Sequence, residues 1–317
     1  MKKIMILLGI MLCFVGTCFA ANLTIESDKQ EFKDEQHKIF LNGNVKVKMD
    51  DIHVSSPRAE VDLDPQTKEV KTVSFLDNAY SYQVKGNKKQ EVKANIIKMS
   101  LLNKVLTAEG NAQSSVTEKN KPLIVVTADS QEYNNRANIM SANGSVIVYY
   151  KDFETFSNSA IVDLTKQNEI KRIQIVGNSS VKQKNNRITA HKIAYDAIRE
   201  EAIATGSVFS DINMEGGTAI KVWSNFQMYD KKSNILVASG NAIIKYKDYT
   251  AIGPKATVFP DKKTNKLNEA VFLGRSKIEQ QGRTIEADRI RMTMNPKDFS
   301  AEGNVKTFIP NVQSMEK

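Results

Sequence analysis

Cysteine is nearly absent. The chain has 317 residues and two cysteines, Cys13 and Cys18, both within the first 20. No disulfide framework holds the remainder, and no Cys-x-x-Cys motif exists. Histidine is almost as scarce. His37, His53 and His191 are far apart and no His-x-x-x-His occurs, which argues against a zinc site. Seven prolines exclude a Pro-rich linker protein, and Trp223 is the only tryptophan. Phosphate-loop, dinucleotide-binding and Gly-x-Ser-x-Gly signatures are missing. So are Gly-Gly-x-Gly-x-Asp calcium repeats, and Gly216-Gly217 reads as a loop. The carboxylate pairs Asp50-Asp51 and Asp62-Leu63-Asp64 fall at expected strand ends or turns, where solvated Asp is ordinary. The expectation is a protein that is not an enzyme and uses neither cofactor nor metal.

Only one long apolar run is present. Met1-Lys2-Lys3 precedes Ile4–Phe19, which carries no charge, and Cys18-Phe19-Ala20 sets small residues three and one positions before Ala21. This is the layout of a signal peptide, cleaved after Ala20, and the run is short for a membrane span. An uncleaved anchor, or a lipoprotein attached through Cys18, are the alternatives. Thr17 fits a lipid-attachment box poorly. Removing Lys2 and Lys3 with the leader lowers the net charge from +9 to +7.

Charged residues make 26% and hydrophobic residues 41% of the chain, as in ordinary folded proteins, so wholesale disorder is excluded. Lys and Arg are spread along the whole sequence. The densest run, Lys85-Gly-Asn-Lys-Lys89, reads as a hairpin tip and has no interleaved aromatic platform. Nucleic acid is therefore not an expected partner. The basic balance fits a weak attraction for anionic lipid or phosphorylated sugar, or plain solubility.

What the sequence does contain is a repeat. Phe40-Leu-Asn-Gly-Asn-Val45, Leu106-Thr-Ala-Glu-Gly-Asn111, Met140-Ser-Ala-Asn-Gly-Ser-Val146, Ala202-Ile-Ala-Thr-Gly-Ser-Val208, Leu236-Val-Ala-Ser-Gly-Asn241 and Phe299-Ser-Ala-Glu-Gly-Asn-Val305 read alike. A looser form occurs at 73–78, 173–178 and 270–275. Eight of the 13 glycines beyond residue 20 occupy this one slot. Upstream of each lies a matching start: Ser27-Asp28, Ala59-Glu60, Ala94-Asn95, Ala128-Asp129, Ala160-Ile161, Ala190-His191, Ser224-Asn225, Ala256-Thr257 and Ala287-Asp288. The nine units are 30 to 35 residues long, and every third is most alike.

Within the units apolar and polar residues alternate, the period of a half-buried strand. Met140, Ala142, Gly144, Val146 and Val148 share one face, while Ser141, Asn143 and Ser145 face water. Asn/Asp/Lys clusters such as Asn134-Asn135-Arg136 and Asp230-Lys231-Lys232 mark turns. Two strands per unit and no helical period predict an all-β protein. A glycine recurring inside strands predicts a corner, where a bulge carries the strand from one sheet toward another. Stacked units then make two facing sheets open at both ends. The alanines of the inward strand, Ala108, Ala142, Ala204, Ala238 and Ala301, either leave a slot between the sheets or pack it closed.

The opening residues resemble a known family. Leu23-Thr-Ile-Glu-Ser-Asp-Lys-Gln30, Phe40-Leu-Asn-Gly-Asn-Val-Lys-Val47 and Ser56-Pro-Arg-Ala-Glu-Val61 are similar to the start of the OstA-like proteins of lipopolysaccharide transport, and weaker echoes run to about residue 308. The resemblance implies an elongated, open, twisted β-jellyroll in the periplasm whose apolar groove holds the lipid A chains of lipopolysaccharide. It implies docking of an inner-membrane export subunit at the N-terminal edge and of the outer-membrane assembly barrel at the C-terminal edge. Head-to-tail self-association is a further option. This chain departs from the common bridge protein in having more units. The expected layout is a leader at 1–20, repeat blocks at 21–127, 128–223 and 224–309, and a tail at 310–317. Candidate groove-lining residues are Leu41, Val45, Val47, Leu106, Met140, Val146, Ile203, Val208, Leu236, Ile244, Phe299 and Val305. The rival readings are an exported structural or adhesive β-repeat with a filled core, and a polysaccharide-acting enzyme on a β-solenoid. The last needs carboxylates aligned across units, and none align.

Overall fold

Strands form wherever the alternating pattern runs. The computed structural model describes residues 23–310 apart from 50, 102, 120, 135, 151, 166–169, 214–218, 262–266 and 295. The expected leader and Cys18 lie outside the described residues. Among the described residues, twenty-two strands and one 3-10 turn, Asp34–Gln36, are formed, and the described pairings are all antiparallel. The all-β class expected from the sequence is what the chain adopts.

The chain divides into two compact units, Met1–Ile175 and Val176–Lys317. The first holds β1 (Leu23–Glu26), β2 (Lys29–Lys33), β3 (Lys38–Met49), β4 (Ile52–Leu63), β5 (Val70–Leu76), β6 (Ala79–Lys85), β7 (Lys88–Ala94), β8 (Ile96–Ser100), β9 (Val105–Glu118), β10 (Lys121–Asn134), β11 (Ile139–Tyr150), β12 (Phe153–Leu164) and the start of β13 (Ile170–Gln183). The second holds the rest of β13, then β14 (Asn186–Asp196), β15 (Glu201–Asn213), β16 (Ala219–Asp230), β17 (Ile235–Tyr246), β18 (Tyr249–Pro260), β19 (Leu267–Gln280), β20 (Arg283–Met294), β21 (Lys297–Glu302) and β22 (Lys306–Phe308). From β9 to β12 and from β14 to β20 each described pairing joins neighbours in the chain, a meander of hairpins, while β1 pairs with β3, β4 also with β6, β5 with β8, β7 with β9 and β22 with β20. Seven of the nine sequence starts fall within a strand, while Ser27-Asp28 lies in the break between β1 and β2 and Asn95 in the break between β7 and β8.

The recurrent glycine makes a bulge. All eight slot glycines have φ between +71° and +81°, the left-handed region that glycine enters at no steric cost. In seven of the eight, the following Asn or Ser is left-handed as well, Asn44 and Asn111 among them. The register shows the consequence. From Asn42 to Val45, β3 advances three residues, while β4 advances only two, from Arg58 to Ser56. The same extra residue appears between Asn143 and Val146, Thr205 and Val208, Ser239 and Ala242, and Leu273 and Ser276. A bulge of this kind bends the strand and increases its twist.

The corner splits each long strand into two arms. One arm of β3 pairs with β2 and the other with β1; one arm of β9 pairs with β8 and the other with β7. Leu41, Val61, Phe75 and Ile97 from one set of arms share a single buried cluster with Val45, Ile52, Val54 and Val92 from the other. Two arms therefore face each other across an apolar interior in the first unit. The second unit has its own cluster, which includes Val222, Ala238, Ile244, Val258, Phe272, Ile278 and Ile290. Burial at about 25 cal/mol per Å² of apolar surface drives both.

Candidate lipid-binding interior

The corner also explains the sequence starts. Asp28, Asn95 and Asp288 each donate a backbone N–H to the carbonyl of Gly43, Gly110 and Gly303, at 2.9, 2.8 and 2.9 Å. Their side chains lie where a Cβ on that glycine would sit, and Asp129, His191 and Asn225 stand over Gly144, Gly206 and Gly240 in the same way. Asn44 and Asn304 donate from Nδ2 to Oδ2 of Asp28 and Asp288, at 2.9 and 2.7 Å. Start and glycine are thus the two sides of one corner.

Beside the N-terminal corner is an apolar hollow of about 80 Å³. Ile25, Leu41, Val47, Ile52, Val54, Val61, Val70, Val73, Phe75, Met99 and Leu101 line it, from both arms of β3 and β4 and from the strands that follow. Every lining side chain is a hydrocarbon or a thioether, so it offers burial to an aliphatic chain and nothing to a charged group. Of the residues proposed from sequence, Leu41 and Val47 line the hollow. Val45, Leu106, Val146, Val208 and Ile244 are buried. Met140 packs on the first cluster and Leu236 on the second, each half-buried, and Ile203 is half-buried too. Phe299 and Val305 are exposed, at 36% and 52%, because β21 and β22 pair with β20 and with no described strand beyond. The lining residues Ile52 and Met99 lie outside the recurring motif of their units, and Phe75 lies in its looser form at 73–78.

Four of the five alanines of the inward strand do not stand beside open space, and Ala301 is partly buried. Ala108, Ala142, Ala204 and Ala238 are between 0% and 6% exposed. Their small size lets the facing arms approach rather than leaving a groove at those levels.

Polar cross-links interrupt the interior. Gln131 is 3% exposed. Its Nε2 donates to the Ala112 and Val126 carbonyls, both at 3.1 Å, and its Oε1 accepts from Ser114 Oγ at 2.7 Å. Gln131 lies on one arm of β10 and Ser114 on the opposite arm of β9, so the pair clasps the arms together. The second unit repeats the clasp. Ser210 donates to Gln227 Oε1 at 2.6 Å, and Gln227 Nε2 donates to the Val222 carbonyl at 3.2 Å. A buried polar group is tolerated when it is hydrogen-bonded, and these are.

Among the described residues, no Lys, Arg, Asp or Glu is buried. Lys38 Nζ is 3.1 Å from carboxylate oxygens of both Glu60 and Asp62 on β4. The hydrogen bond to Glu60, then that to Asp62, hold its pKa above the usual lysine range. Among the described residues, no group of three or more His, Asp or Glu is placed to hold a metal ion.

No curated protein matches the sequence. The structure of LptH, the LptA-homologous periplasmic component of the conserved lipopolysaccharide transport device from Pseudomonas aeruginosa, matches 39% of this chain and 83% of its own, at 15% identity and a TM-score of 0.33. A family model described as LptA/(LptD N-terminal domain) LPS transport protein matches residues 24–122, the hairpins that hold the apolar hollow. Over that third of its length the chain is similar to the LptA/LptD N-terminal domain family, to which its OstA-like motifs point.

Proposed function

We propose that this chain is a periplasmic component of lipopolysaccharide transport, which holds the acyl chains of lipid A between its two arms and passes them toward the outer membrane. The observation that carries this reading is the purely apolar hollow between the arms, within the segment that matches the transport family. A hollow of about 80 Å³ takes part of an acyl chain at a time. Loading a whole lipid requires the arms to part along the interior, with each buried methylene of the cargo recovering about 0.8 kcal/mol. The sugar stays outside, because the interior has no charge to meet its phosphates.

The edge strands are the docking elements. Among the described residues, β1 and β2 pair only with β3, and β21 and β22 only with β20. Their free N–H and C=O groups accept a further strand by β-augmentation. An inner-membrane export subunit is the partner for the N-terminal edge. The outer-membrane assembly barrel is the partner for the C-terminal edge, and copies of this chain join head to tail.

A photo-crosslinker at Val47, which lines the hollow, and another at Lys48, its outward neighbour, test the interior in cells making lipopolysaccharide. Lipopolysaccharide adducts at Val47 and none at Lys48 are expected. Adducts at Lys48 alone overturn the interior route. A second reading, an exported β-repeat with a filled core, is favoured by the buried alanines at 108, 142, 204 and 238. It predicts no lipid adduct at either position.

A further inference from the structure

The clasp recurs with a fixed period. Ser210, Gln227 and Val222 each lie 96 positions beyond Ser114, Gln131 and Val126. Gln131 and Gln227 stand two residues after the starts at Asp129 and Asn225, and Ser114 and Ser210 stand four after Gly110 and Gly206. The two ends of the chain carry the unmatched halves. Gln30 stands two residues after Asp28 on exposed β2, which pairs with no described strand other than β3. Thr307 stands four after Gly303 on exposed β22, with no described strand after it.

We infer that the head-to-tail joint proposed above is one further interval of this internal repeat, closed in a single register by Gln30 of one copy and Thr307 of the next. The register is copied from the two joints inside the chain. There, Gln131 lies opposite Ala108 and Val126 opposite Ser114; Gln227 lies opposite Ala204 and Val222 opposite Ser210. Transferred to the ends, Gln30 lies opposite Ala301 of the second copy, Ile25 opposite Thr307, and Phe32 opposite Phe299. Phe32 and Phe299 are 54% and 36% exposed in the single chain, at a level where Tyr133 and Leu106 are buried.

The charges select the same register, though nothing in the internal joints required them to. It sets Lys29 opposite Glu302, Lys33 opposite Asp298, and Glu26 opposite Lys306. A slip of one residue turns Gln30 and Phe32 to the outer face. A slip of two in either direction takes both lysines off their acids and sets Glu31 opposite Asp298 or Glu302. Opposite charges facing across strands stabilise and like charges destabilise. The same complementarity opposes pairing of two N-terminal edges with each other, since that joint has no Thr307 to meet Gln30.

The inference rests on the end-joining reading, and its test is separate from that of lipid transport. In the full chain with Cys13 and Cys18 changed to Ser, a Glu31→Cys variant is mixed with Ser300→Cys, Asp298→Cys or Glu302→Cys under mild oxidation. Residues directly opposite come within disulfide reach, and those two further along fall outside it. A dimer cross-link at least tenfold more abundant with Ser300→Cys is expected. Equal yields at 298 or 302, or no cross-link with any of the three, overturns the register. Charge reversal checks it independently. Lys29→Glu/Lys33→Glu and Asp298→Lys/Glu302→Lys should each self-associate about tenfold more weakly, and an equimolar mixture of the two should form dimers. Failure of the mixture to pair overturns the charge assignment. Lipid adducts at Val47 with no cross-link sink this inference alone, and the cross-link without adducts sinks the transport reading alone.

Discussion

Asp28 donates its backbone N–H to the carbonyl of Gly43 at 2.9 Å, and its carboxylate occupies the place a Gly43 Cβ would need. The contact is short because Gly43 has nothing there, and the left-handed backbone at Gly43 and Asn44 turns the strand at that point. A glycine is required twice over, once for φ and once for space. The same relationship recurs at other corners in each unit, and in the first unit it sets two arms face to face.

The two requirements can be separated by substitution. Gly110 has φ +76°, and a Cβ on it would meet Asn95 Nδ2 at 2.6 Å. Gly86 has φ +60° at a hairpin tip, with nothing within 4 Å. Gly86→Ala incurs only the left-handed penalty, about 1 kcal/mol. Gly110→Ala adds the collision and lowers stability by about 2 to 3 kcal/mol. Urea unfolding of both variants measures the difference. Equal losses at the two sites would show that close approach at the corner contributes nothing.

Much of this architecture is legible in the sequence, and the residues show why. Leu106, Ala108 and Ala112 alternate with polar neighbours, so a half-buried strand follows directly, and the Gly110-Asn111 interruption marks its corner. The starts at Asp28 and Asn95 are equally visible as a pattern. What they do is not, because each acts on a glycine 15 residues further along, across a hairpin. The state of the interior is less legible still. Alanine at 108 or 204 permits either a slot or close packing, and only the distance between the arms decides. Gln131 and Gln227 recur at a fixed offset from their starts, a signal that the repeat itself carries. A polar residue in an inward position reads as an exception until its Ser partner, 17 residues before it, is brought opposite.

Gln131 makes a second prediction. Its amide supplies the donor to the Ala112 and Val126 carbonyls and the acceptor for Ser114, all within the first unit. Gln131→Leu keeps the volume and removes all three bonds, leaving Ser114 without its acceptor. Stability should fall by about 2 kcal/mol, and by about 1 kcal/mol for Ser114→Ala. The double variant should lose less than the sum, since the Ser114 hydroxyl is then no longer stranded. Strictly additive losses in a chemical-denaturation cycle would mean that the two side chains do not act as a pair. The same cycle on Ser210 and Gln227 should behave alike in the second unit.

The turn between β4 and β5 gives a prediction in pH. Asp64 Oδ1 accepts the backbone N–H groups of Thr67 and Gln66, each at 2.9 Å, and its Oδ2 lies 2.9 Å from Lys71 Nζ. The Thr67 bond first, then Lys71, then Gln66, hold the carboxyl well below the usual carboxylate range. A group whose pKa is lower folded than unfolded stabilises the fold while ionised. The contribution is complete above the unfolded value, about 3.9, and disappears as pH falls through the folded value. Asp64→Ala should therefore be less stable than the native chain by a constant margin from pH 8 down to about 5. The margin should narrow steadily below pH 4, where Asp64 of the unfolded chain takes up a proton that the folded carboxylate still resists. Denaturation midpoints at pH 7, 5, 4 and 3 measure it. A margin that stays level down to pH 3, or widens, would mean that the turn is held by its backbone and that the carboxylate is a bystander.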